Sequence, residues 1–114
     1  MKVIKRNSSE VTFDISKIIT AITKANEAVE EDARMTPMQI KRIAEAVELS
    51  CIRMNRAPEV EEIQDLVESQ IMAHGAYEVA KKYITYRYTR ALVRRQNTTD
   101  ESILALLRNE NKEL

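Results

Sequence analysis

Apolar residues recur at helical spacing along most of this chain, and the first fourteen residues break that rhythm. There, β-prone Val3-Ile4 and Val11-Thr12-Phe13 flank Asn7-Ser8-Ser9, which is turn chemistry. The pattern predicts a β-hairpin over Lys2 to Asp14. Alternation puts Val3 and Lys5 on one face, and Ile4 and Arg6 on the other. A two-stranded hairpin is marginal alone and must lie on something.

Asp14 then suits the N-cap of a first helix over Ile15 to Val29, with Ile15, Ile18, Ile19, Ile22, Ala25 and Val29 as its apolar stripe. After an acidic loop at Glu30, Glu31 and Asp32, Thr36-Pro37-Met38-Gln39 reads as a capping box with proline at the first helical position. It opens a second helix reaching Met54, with Ile40, Ile43, Ala44, Val47, Cys51 and Met54 inward. Ala57 to Val60 is a connector with room for a short third strand near Val60. A third helix over Glu61 to His74 presents Ile63, Leu66, Val67 and Ile71, and Gly75 suits the position just past its end. The fourth runs from Tyr77 to Arg95, with Tyr83, Ile84 and Tyr88 expected in the core. Asn97 to Asp100 reads as a break, and Ser102 to Arg108 as a short apolar helix. The expected fold is mainly α (α+β): a four-helix bundle capped by an N-terminal β-hairpin, with a short C-terminal helix.

Composition narrows the chemistry. A length of 114 residues fits one domain, and 18 basic against 18 acidic residues give zero net charge. That argues against coating a nucleic acid or an anionic membrane. One cysteine excludes a disulfide framework or a cysteine-based zinc site within the chain, and fits a cytoplasmic location. The N-terminus lacks an apolar signal core, and no apolar run approaches a membrane span. With one glycine, the chain has no Gly-rich phosphate loop, so any phosphate must be held by cationic side chains and a helix N-terminus.

Charge is uneven. Glu59, Glu61, Glu62, Asp65 and Glu68 crowd the start of the third helix, whereas Lys81, Lys82, Arg87, Arg90, Arg94 and Arg95 make the fourth basic. Solvated helix faces explain such runs equally well. The i, i+3 and i+4 acids of the third helix have no second cluster to complete a pocket, so no metal site from protein side chains is expected. Lys5-Arg6 alone is an ordinary feature of an edge strand. Lys17 lies in the first helical turn, directly after the second strand, where a lysine opposes the helix dipole and an anion would relieve it. Three or four charge-assisted hydrogen bonds of ~1.5–3 kcal/mol each approach the ~8 kcal/mol of micromolar binding.

The stretch Val3-x-Lys5-Arg6-Asn7…Val11-x-Phe13-Asp14-x-x-Lys17-Ile18…Ala21-Ile22…Ala25 resembles the N-terminal signature of the ATP-cone family. Glu61-Glu62-Ile63-Gln64-Asp65-x-Val67-Glu68 and Val79-Ala80-Lys81-x-Tyr83-Ile84-x-Tyr86-Arg87 are similar to its second and third signatures, in order. One departure is Asn7-Ser8 where the family's turn carries Asp-Gly or Asn-Gly. Residues 91–104 are similar to the region that joins the cone to the body of anaerobic ribonucleoside-triphosphate reductases.

The resemblance implies a nucleotide-binding domain over 1–95 and, over 96–114, a linker and short helix leading toward a catalytic body that this chain lacks. It implies a regulatory part rather than an enzyme, with ATP or dATP as allosteric ligand, with or without Mg²⁺. It assigns Val3 and Val11 to the base, Lys5, Arg6 and Lys17 to phosphates, and Asp14 to the nucleoside. Val60, Glu62 and Gln64 are its candidates for base or ribose, and Tyr86, Arg87 and Arg90 for closing over phosphate. Its partners would be the reductase body and a second copy in a nucleotide-dependent assembly. Two alternatives stand beside it: a nucleotide-sensing repressor, disfavoured for want of zinc-ribbon cysteines, and a helical interaction module without a ligand.

Overall fold

The computed structural model describes residues 1–5 and 7–98, with 94–98 as backbone. Strands β1 (Lys2–Ile4) and β2 (Glu10–Thr12) form the antiparallel hairpin, with Val3 opposite Val11. Helices α1 (Ile15–Glu27), α2 (Pro37–Arg53), α3 (Val60–Ala73) and α4 (Tyr77–Thr98) follow, and a single 3-10 turn at Glu31–Ala33 replaces the expected acidic loop. Short connections reverse the chain each time, so α1 packs on α2 and α4, and α3 on α2 and α4.

Local signals act where the sequence puts them. The Asp14 carboxylate accepts from Ser16 N at 3.0 Å and caps α1. Thr36 and Gln39 exchange both bonds of the capping box on α2. Gly75, at φ +76°, ends α3: its N–H donates to Met72 O while Ala76 N donates to Ile71 O, a Schellman closure. Asn55, at φ +59°, occupies the equivalent position after α2.

The core is one cluster. Ile18, Ile22, Ala25, Val29, Ile40, Ile43, Ala44, Val47, Cys51, Ile63, Val67, Ile71, Val79, Ala80 and Tyr83 are buried, and Val3 joins them from the hairpin. Asn26 is the buried polar member: its amide donates to Met35 O and accepts from Met35 N, pinning the chain before α2.

Several expectations are corrected. Val60 opens α3 rather than extending the connector, and the third strand shrinks to one parallel bridge between Ile4 and Glu59. At the turn, where the sequence left Asn7-Ser8 in place of a glycine pair, Ser8 takes the left-handed backbone, at φ +70°, and Asn7 Oδ1 accepts from Ser9 N and Ser9 Oγ. Lys5 is exposed although Val3 is buried: it lies past the end of β1, at the turn, where its N–H donates to Ser9 O. α1 and α2 stop at Glu27 and Arg53, ahead of Val29 and Met54, and α3 at Ala73 with His74 as its C-cap. Ile84 and Tyr88 lie outside the core, with Tyr88 66% exposed, because they occupy the face of α4 turned away from its neighbours. α4 continues through Asn97 and Thr98, where a break was expected. The predicted helix over Ser102 to Arg108 lies outside the described residues.

Candidate functional site

The hairpin is fastened to the start of α3. Ile4 N donates to Pro58 O at 2.9 Å beside the bridge to Glu59, and Pro58 is fully buried beneath it. Between the two elements lies a cleft of 280 Å³, at the small end of the ~300–1,000 Å³ typical of ligand sites. Ile4, Lys5 and Ser8 line it from the hairpin, and Glu59, Val60 and Glu61 from the helix. Its charge is divided: a cation on the roof, carboxylates on the floor. A phosphate chain there is favoured on the hairpin side and repelled on the helix side, while hydroxyl and amine donors suit the floor.

The structure brings some of the sequence candidates together. Lys5 and Val60 share this cleft. Val3 is 5% exposed and packs downward into the core, with half-buried Val11 as its cross-strand partner. Lys17 is exposed on the first turn of α1, close in sequence to the Asp14 cap. The bonds from Ser16 hold Asp14 below the usual carboxylate range, so the cap is ionised. Tyr86 is half-buried on α4, with Lys24 Nζ 5.8 Å and Arg90 Cζ 6.0 Å from its ring centroid. Arg6 lies outside the described residues.

Other candidates already have protein partners. Glu62 takes a two-point fork from Arg56, at 2.8 and 2.6 Å, and its Oε1 also accepts from Glu59 N. Arg56 holds its carboxyl down to about 2. Arg87 NH1 donates to Asp65 and Glu68, each at 2.7 Å, and NH2 reaches Glu61 O, bracing α3 against α4. Gln64 is half-buried, and its Oε1 is shut from solvent without a protein donor among the described residues.

Sequence reasoning missed Arg56 as the partner of Glu62, because a pair spanning a loop follows no helical spacing. The contact of Lys24 with the Tyr86 ring, between helices far apart in the chain, likewise has no local signature. The cleft residues Ile4, Ser8, Glu59 and Glu61 come together through the roof contact, which has no local signature.

The family model for the ATP cone domain matches residues 1–92. The chain belongs to the ATP-cone family. Its relatives include the ribonucleoside-diphosphate reductase subunit alpha of Chlamydia trachomatis, 36% identical over 110 residues, covering 90% of this chain and 10% of that protein. The anaerobic ribonucleoside-triphosphate reductase of Haemophilus influenzae is 35% identical, over 98% of this chain and 16% of its own length. A vitamin B12-dependent ribonucleoside-diphosphate reductase of Mycobacterium tuberculosis is 38% identical, over 82% of this chain and 13% of its own length. This ATP-cone thus spans a small part of each of these relatives. Among the described residues, no helix is long and apolar enough to cross a membrane.

Proposed function

We propose that this ATP-cone is a nucleotide-sensing regulatory domain that binds ATP or dATP and sets the overall activity of a ribonucleotide reductase, and so deoxyribonucleotide supply. The reductase relatives support the setting, and the divided cleft between hairpin and α3 is the observation that carries the ligand reading. Lys5, Arg6 and Lys17 would take the phosphates, with Mg²⁺ as a companion of the triphosphate rather than a protein-held metal. Val3, Val11, Val60 and Gln64 would lie toward the base and ribose, and Tyr86 and Arg90 would close over the phosphates. Glu62 and Arg87 would act through the positions they hold, since their charged ends are already engaged.

The two nucleotides differ by one ribose hydroxyl, so they can act oppositely only by binding two conformations or assemblies with different affinity. The carboxylates on the cleft floor are suited to accept that hydroxyl. The chain would work in the cytoplasm as a non-catalytic part of an anaerobic ribonucleoside-triphosphate reductase, its partners the catalytic body and, with one nucleotide, a second copy.

Calorimetric titration with ATP and dATP tests the reading. Saturable heat with both, weakened alike for all triphosphates by Lys5→Ala or Lys17→Ala, is expected. No heat and no thermal shift with either would leave the ligand-free interaction module, for which exposed Ile84, Tyr88 and Leu92 along α4 are the supporting observation.

A further inference from the structure

We infer that Arg56 is a positioning residue for the hairpin cleft: through Glu62 it fixes the Glu59 backbone, and so the spacing between hairpin and α3 that a ligand meets there. This rests on the nucleotide reading above and adds what holds that site in shape.

The walls of the cleft come from distant parts of the chain, Ile4, Lys5 and Ser8 on one side and Glu59, Val60 and Glu61 on the other. Among the described residues, one backbone hydrogen bond joins the hairpin to the connector before α3, from Ile4 N to Pro58 O, beside the bridge from Ile4 to Glu59. The cleft therefore keeps its width as long as Pro58 and Glu59 keep their places. Arg56 does not itself line the cleft. Its influence there runs through the backbone it helps to fix.

The start of α3 is held differently from the starts of α1 and α2. Those helices begin on Asp14 and Thr36, whose side chains bond the first turn directly. α3 begins on Glu59, which is not among the favoured capping residues. Its backbone is instead caught from inside the helix, where Glu62 Oε1 accepts from Glu59 N at 3.0 Å. The same oxygen takes Arg56 NH1, and Oε2 takes NH2. The fork thus spans the connector and ties the segment after α2 to the first turn of α3. Without Arg56, Glu62 still accepts from Glu59, but a partly exposed glutamate also turns to water, and the bond is then made part of the time. A planar guanidinium holds both oxygens at once, which the point charge of a lysine does not. With Arg56 55% and Glu62 32% exposed at the side chain, the pair is screened by solvent, so its loss leaves the helical body folded and acts on the cleft locally.

The test uses the 114-residue chain and its Arg56→Met and Arg56→Lys variants, with amide hydrogen exchange followed by NMR and calorimetric titration with ATP. In both variants, protection at Ile4 and Glu59 is expected to fall at least about threefold, the size of effect an exposed pair supplies. Amides of Ile22 and Val47, fully buried in α1 and α2, should exchange as in the parent. ATP affinity should fall at least about threefold with the lost spacing. Protection lost alike at Ile22 and Val47 would make Arg56 a general stabiliser and overturn the proposal. So would local loss at Ile4 and Glu59 with ATP affinity kept. Parent-like exchange and affinity in Arg56→Lys would show that a positive charge suffices, and would overturn the fork as the positioning device. Absence of ATP binding in the parent chain overturns the nucleotide reading, and with it the ligand role of Arg56, while the exchange data still report whether Arg56 holds the hairpin against α3. Should Arg56→Met fail to fold, Arg56→Lys against the parent decides on the same readouts.

Discussion

Arg56 and Glu62 meet fork to fork across the loop that leads into α3, with N···O distances of 2.8 and 2.6 Å. Glu62 Oε1 also receives the N–H of Glu59, the residue bridged to Ile4. The acid thus fixes the backbone on which the hairpin rests.

The pH dependence of that fork has a definite sign. The carboxyl of Glu62 falls from near 4.5 to about 2 on folding. A carboxylate with a depressed folded value contributes stability that is complete above its unfolded value and is lost as pH falls through the folded one. Acid unfolding of the parent should therefore steepen between about pH 4.5 and 2. Glu62→Gln should flatten this window, and Arg56→Met should flatten it only in part, because Glu62 still accepts the Glu59 N–H there. Equal acid limbs for parent and Glu62→Gln, followed by circular dichroism, would show that the fork contributes nothing.

Ser8 holds a left-handed backbone, at φ +70°. A residue with a Cβ pays ~1 kcal/mol or more there, and glycine pays in the unfolded state instead. Ser8→Gly should stabilise the chain by about 0.5–1 kcal/mol in urea unfolding. Ser8→Val, whose branched side chain suits this conformation poorly, should destabilise it.

Asn26 closes two bonds with the backbone of Met35 inside the core. Asn26→Ala leaves both backbone groups buried and unpaired, at a cost of about 2–4 kcal/mol. Asn26→Asp keeps the acceptor and loses the donor to Met35 O, so it should also destabilise, most strongly above the carboxyl pKa. Equilibrium denaturation of the three chains checks the order.

Arg87 is 20% exposed at its side chain and serves Asp65 and Glu68 together. Removing it strands Glu68, itself 21% exposed, so Arg87→Ala should cost about 1–3 kcal/mol. A double-mutant cycle with Glu68→Ala should recover part of that loss. If Arg87→Ala abolished ATP binding with no loss of stability, its brace between α3 and α4 would be incidental to its work.

Much of this architecture was written locally. The apolar stripes of α1, α2 and α3, the Asp14 cap, the Thr36–Gln39 box and the glycine past α3 each depend on residues within a turn or two of one another. Helical periodicity and capping are short-range effects, so the chain states them without needing its fold. The positions of Lys5 and Lys17 follow from the same local signals: one comes directly after β1 at the hairpin turn, the other lies in the first turn of α1.

Contact between distant segments decided the rest. Sequence could not say which face of α4 meets its neighbours, because apolar residues surround that helix, and packing left Ile84 and Tyr88 outside while burying Tyr83. It could not say that Glu62 and Arg87 would spend their charges on Arg56, Asp65 and Glu68, or that Lys24 and Arg90 would share the Tyr86 ring. Charged side chains choose partners by position in space, and only the docking of hairpin and helices sets that position.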